Sequence, residues 1–217
     1  MRLERSTYPQ VEAYLEGNDT VLMLFGSTEQ HGKHNPLGTD SFAPQKLSEL
    51  IEKDLPGLLI APILPFGSSP RFVEFPGTFN LGDQLYLAVV KKLCENLYDQ
   101  GFRHFVFLNG HGGGQETSAN LYIDPTMVDL DSVEGMGLIN DLGDDMPSVH
   151  FDTVKYKGVS VTVPRPTNYY AENGWIGPDD PKKASAEWGR EMLETVAAWM
   201  VDFIQAFSKT PLPDSED

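Results

Sequence analysis

Apolar positions fall in short unbroken runs and in helical stripes. Val21-Leu22-Met23-Leu24-Phe25 is one such run, closed by Gly26-Ser27, and Phe105-Val106-Phe107-Leu108 is another, closed by Asn109-Gly110. Runs this long without a polar break predict strands covered on both faces, and Leu58 to Ala61 reads as a shorter one. Helical spacing lies between them. Asp40 to Lys53 carries Phe42, Leu47, Leu50 and Ile51, and Asp83 to Asp99 places Leu87, Val90, Leu93, Cys94 and Leu97 on one face. Tyr8 to Glu16 reads as a short helix stopped by Gly17-Asn18. The β-α-β-α-β rhythm predicts a mainly parallel sheet with helices on its faces.

The pattern loosens after Gly114. Glu116 to Ile123 reads as a short helix ended by Pro125, and Met127 to Val159 as loop-rich with short apolar pieces. Val159 to Val163 reads as another strand. A last helix runs from about Pro181 to Phe207. Its Trp188, Met192, Leu193, Val196, Trp199, Met200, Phe203 and Ile204 are expected to be core. Residues 1–209 read as one domain, and the Pro- and acid-rich 210–217 as a disordered tail.

Composition narrows the possible functions. The net charge of −16 comes from 32 acidic against 16 basic residues, a balance that disfavours nucleic acid and anionic membranes. No apolar stretch reaches bilayer length, and Met1-Arg2-Leu3-Glu4-Arg5 lacks the apolar core of a signal peptide. The single cysteine, Cys94, fits a reducing compartment and a buried hydrophobe's role; a cytoplasmic location is expected.

Candidate chemistry sits where the two apolar runs end. Glu29-Gln30-His31-Gly32-Lys33-His34 and Asp40 follow the first, and His111 in Asn109-Gly110-His111-Gly112 follows the second. Ligands of open parallel sheets collect beyond the carboxyl ends of the strands. Residues two apart in an extended segment point the same way, so Glu29 and His31 can face one ion or a pair. Asp40 can join them from the start of the next helix, where the dipole favours an anion. Carboxylate and imidazole donors suit zinc first, with manganese and iron compatible. His34 can instead hydrogen-bond to backbone, and His104, just before a strand, is expected to face solvent.

These motifs resemble the creatininase (creatinine amidohydrolase) family. Glu29-Gln30-His31-Gly32-x-His34 with Asp40 carries one family pattern, and Asn109-Gly110-His111-Gly112-Gly113 another. Phe75-Pro76-Gly77-Thr78 and Gly177-Pro178 through Gly189 match further landmarks. The resemblance implies a three-layer α/β/α sandwich, often with a dinuclear metal centre, and hydrolysis of a C–N bond. The implied substrate is a small cyclic amide or formamide-like molecule, attacked by a metal-activated water. It also implies that Glu29 and His111 hold one ion, His31 the other, that Asp40 bridges them, and that the chain forms a homo-oligomer.

The chain departs from that family between Gly112 and Asp131. The family carries a separate later motif, His-Ala-Gly-x-x-Glu-Thr-Ser, after a long intervening segment. Here Glu116-Thr117-Ser118 follows His111 almost at once, so two motifs are fused and one histidine stands where relatives have two. Glu116 is then the nearest spare carboxylate, as a metal ligand or proton carrier; helix N-terminal charge and capping is its other reading. His150 is the second candidate acid/base, with a plain surface histidine as its alternative. The missing segment also leaves open a shortened member that binds metal, or only keeps the fold, without catalysis.

Overall fold

A computed structural model describes residues 1–112, 115–133, 140–150, 152–177 and 180–212. The continuous apolar run forms β1 (Thr20–Phe25), all of it buried. It lies between β2 (Leu59–Ile60) and β3 (His104–Asn109) in a parallel sheet of order β2-β1-β3. Central position is what an uninterrupted apolar run requires, since both faces and both edges of β1 are covered. Register places Phe25 opposite Asn109, so β1 and β3 end level.

Helices cover both faces. On one side α2 (Thr39–Asp54), α4 (Glu116–Ile123) and α6 (Ala186–Phe207) pack on the sheet. Leu22, Leu24, Ile60, Val106 and Leu108 meet Leu47, Ile51, Ala119, Leu193, Met200 and Ile204 there. On the other side Val21, Met23, Phe25 and Leu59 meet Val11 and Leu15 of α1 (Tyr8–Leu15) and Val90, Cys94 and Leu97 of α3 (Asp83–Asp99). This is a three-layer α/β/α arrangement, with alternate β1 side chains feeding alternate cores.

Several expectations are corrected. The α3 stripe is only half inward: Val90, Cys94 and Leu97 pack against the sheet, whereas Leu87 and Leu93 are exposed, so Cys94 is half-buried. Phe107, on the edge strand of the sheet, is 54% exposed. In α6 the buried positions are Gly189, Leu193, Ala197, Met200 and Ile204. Trp188, Val196, Trp199 and Phe203, expected in the core, are exposed. The expected strand near Val159 exists as β6 (Val159–Thr162), but in a separate antiparallel sheet with β4 (Ser148–His150) and β5 (Thr153–Tyr156), which short polar-flanked segments concealed. A short helix, α5 (Thr167–Tyr170), precedes the loop to α6. His104 is buried rather than solvent-facing: Nδ1 meets Asp19 Oδ1 at 2.6 Å and Nε2 donates to the Thr210 carbonyl at 2.9 Å. That bond holds the start of the expected tail, while residues 213–217 lie outside the described ones.

Among the described residues, no helix is long and apolar enough to cross a membrane.

Candidate metal centre

The ends of β1 and β3 deliver the first two loops to one place. Gly110 N–H donates to the Phe25 carbonyl at 3.0 Å, locking the loops side by side. A Cβ at Gly110 would strike the Asp40 carbonyl and the Pro44 ring, so glycine here lets the first turn of α2 press against the strand ends. Asp40 is the second residue of α2 and is buried, close to the positive end of the helix.

Glu29, His31 and Asp40 each place one ligand atom within 4.8 Å of the others, and all three are buried. Asp40 divides its two oxygens. Oδ1 lies 3.0 Å from His31 Nε2, and Oδ2 lies 2.9 Å from His111 Nδ1. Glu29 Oε1 lies 3.4 Å from the same His111 nitrogen. Each imidazole is anchored from behind: His31 Nδ1 donates to the Glu29 carbonyl at 2.9 Å, and His111 Nε2 to the Ser68 carbonyl at 3.0 Å. A carbonyl only accepts, so these nitrogens carry hydrogen and His31 Nε2 and His111 Nδ1 face the carboxylates.

The groups shift one another's charge states. Burial opposes a charge on His31, but its bond to Asp40 and the nearby Glu116 carboxylate hold its pKa up to about 9. Hydrogen bonds to Asp40 and Glu29 lift His111 to about 11. Burial raises Asp40, yet the bonds from His111 and His31 overcome it and hold the carboxyl below its usual range. Burial pushes Glu116 up to about 7, with Asp40 and Glu29 adding to the rise and His31 opposing it. Protons on two imidazoles thus offset the carboxylates. Glu29 Oε2, buried without a hydrogen-bond partner, is left unsatisfied by them. Converging oxygen and nitrogen donors with an orphaned carboxylate oxygen fit a divalent cation.

The fused region completes the site. Glu116 opens α4, and its Oε2 lies 3.7 Å from His31 Nε2. No side chain caps α4; the position before it is Gln115 in the left-handed region. His34 is buried and bonds to a side chain, not to backbone: Nε2 lies 3.1 Å from Thr117 Oγ1, which also accepts from Asn35 Nδ2 at 3.0 Å. Burial and the nearby His31 lower the His34 pKa. His150 belongs to β4, but its side chain lies outside the described residues.

A cavity of about 630 Å³ opens over these groups, with Glu29, His31, His111 and Glu116 in its lining. Phe72, Trp175 and Trp188 line it as well. Sequence reasoning did not select these aromatics. Phe72 and Trp175 lie in loops without periodicity, and Trp188 continued the apolar stripe of α6.

A profile of the family described as "Creatininase: Creatinine amidohydrolase" matches residues 4–115 and again 111–204. Residues 111–115 serve both matches, at the point where the two motifs are fused. A 3-dehydro-scyllo-inosose hydrolase from Thermotoga maritima is 29% identical over 107 residues, 49% of this chain and 34% of its own length. A mycofactocin precursor peptide peptidase from Mycobacterium ulcerans is 31% identical over 105 residues, 45% of this chain and 42% of its own. The chain thus spans well under half the length of the curated relatives it matches. Creatininase structures superpose along nearly the whole chain. Its manganese form gives a TM-score of 0.77 at 21% identity, covering 96% of this chain and 99% of that one. A zinc–zinc form of a creatininase mutant gives 0.76 at 22%, covering 96% and 98%. Likeness at this identity is likeness of fold.

Proposed function

Because the chain belongs to the creatininase family, we propose that its buried Glu-His-Asp-His cluster makes it a metal-dependent hydrolase of a C–N bond in a small cyclic amide or formamide-like substrate. The observation that carries this reading is the division of Asp40 between His31 and His111, each imidazole fixed from behind by a main-chain carbonyl. Glu29, His31, Asp40 and His111 would hold the metal, with Glu116 as the spare carboxylate. Zinc or manganese fits the donor set.

The chemistry that such cations supply when bound is Lewis acidity toward a carbonyl oxygen and toward water. The chain's own residues do the rest. The two carbonyl-anchored histidines keep their ring orientation through turnover. Glu116, half-buried at the lining and with its pKa raised to about 7, takes a proton from water and returns it to the leaving nitrogen.

Elemental analysis of purified protein, with His111→Ala and Asp40→Ala beside it, tests the site. About two equivalents of metal per chain, sharply reduced in both variants, is the expected result. One equivalent would point to a site lacking its second ion, and none, even after zinc or manganese is added, would sink the catalytic reading. The double use of residues 111–115 favours one alternative, a shortened relative that binds metal or keeps the fold without turnover. Glu29→Gln separates the two: an enzyme loses turnover of cyclic amides and formamides, whereas the alternative has none to lose.

A further inference from the structure

The metal chemistry leaves the aromatic part of the cavity without a role. A volume of about 630 Å³ is that of a site for a drug-sized molecule, larger than one small ring needs. Among its aromatics, Trp188 is held most deliberately. Ser185 caps α6 by accepting the Trp188 main-chain N–H at 3.2 Å, and Ser185 N–H itself donates to Ser118 Oγ of α4 at 3.2 Å. One residue on, Gly189 lies directly against the Ser118 carbonyl, where any Cβ would collide. These ties press the start of α6 onto the start of α4, beside Glu116. The indole Nε1–H then donates to Gln115 Oε1 at 3.3 Å, which fixes the ring.

A ring so anchored would ordinarily be buried, yet Trp188 stays 47% exposed and lines the cavity. An indole with its N–H engaged and its surface open is an apolar platform of large area and low entropic cost. Trp175 supplies a second fixed aromatic surface: its main-chain N–H is held by Asn173 Oδ1 at 3.1 Å, and its ring meets His34 edge-on at 5.0 Å. We infer that Trp188 is a specificity-determining residue whose indole receives a flat apolar group of the substrate. The substrate class is therefore an amide carrying an aryl or similar planar side group beside the scissile bond. This rests on the hydrolase reading for the identity of the reacting group and on the cavity alone for the platform.

Hydantoin and 5-benzylhydantoin present the same cyclic amide without and with an aryl group. Calorimetric titration of the metal-loaded protein is expected to show 5-benzylhydantoin binding about tenfold tighter. Trp188→Ala should shrink that preference to about twofold or less, Trp188→Phe should keep most of it, and Trp199→Ala, on the same helix outside the cavity lining, should leave it intact. Equal affinities in the wild type, no binding of either compound, or a preference that survives Trp188→Ala would each overturn the inference. Ring opening followed in parallel keeps the two readings apart. Aryl-dependent binding without ring opening supports the platform and counts against the hydrolase. Ring opening without aryl preference does the reverse.

Discussion

At the scale of single residues, the site depends on close approach. Gly110 has no side chain because Asp40's carbonyl occupies the space where one would be. Gly110→Ala is expected to push α2 away from β3, costing about 1–3 kcal/mol in urea unfolding and weakening metal retention. Glu116 is the residue whose role divides most sharply. Glu116→Gln is expected to lower turnover by about 100-fold or more, as loss of an acid/base group does. Metal content of that variant then assigns the residue: unchanged metal marks a proton carrier, and reduced metal marks a ligand. The convergence of Glu29, His31, Asp40 and His111 as candidate ligands was legible in sequence because metal-type residues at strand ends are a local signal. Thr117 was not, because its hydroxyl acquires meaning only when His34 and Asn35 fold onto it from 83 and 82 residues away.

At the scale of elements, α6 shows how far an apolar stripe can be trusted. Its twenty-two residues carry a buried line of Leu193, Ala197, Met200 and Ile204 and an aromatic row in which exposed Trp199 and Phe203 stack in turn with half-buried Phe207. Met200→Ala is expected to cost about 2–5 kcal/mol by leaving a cavity, whereas Trp199→Ala should change stability far less, as denaturant midpoints will show. The start of β3 carries a pH signature. Burial opposes charge on His104, but the bond to Asp19 overcomes it and raises the pKa. A raised pKa stabilises the fold fully below the ordinary histidine value of about 6.5, and the gain is lost as pH rises through the folded value. The urea midpoint of the wild type should therefore exceed that of His104→Asn by more at pH 6 than at pH 9. Element existence followed from apolar runs and helical spacing in the first half of the chain. Strands β4 and β5 escaped because each is short and β6 is exposed throughout, so no run or alternation marks them.

At the scale of the whole molecule, the site gathers carboxylates and imidazoles that a divalent cation would join. Metal that binds the folded chain raises stability by mass action, about 2.7 kcal/mol at a hundredfold excess over Kd. Thermal unfolding is expected to shift upward on adding zinc or manganese, to return with chelator, and to shift little in Asp40→Ala. The exposed Phe107 edge and the Leu87 and Leu93 face of α3 are apolar surface that a homo-oligomer would cover, and native mass measurement is expected to find one. The sequence alone determined the α/β class and the parallel core and marked the candidate ligands, because strand burial and strand-end chemistry are written in neighbouring residues. Tertiary structure decided what no neighbour encodes. It divided Asp40 between two histidines, buried His104, and turned Trp188 from a core residue into part of a cavity. Each depends on which helix presses against which, and that is set by packing across the chain.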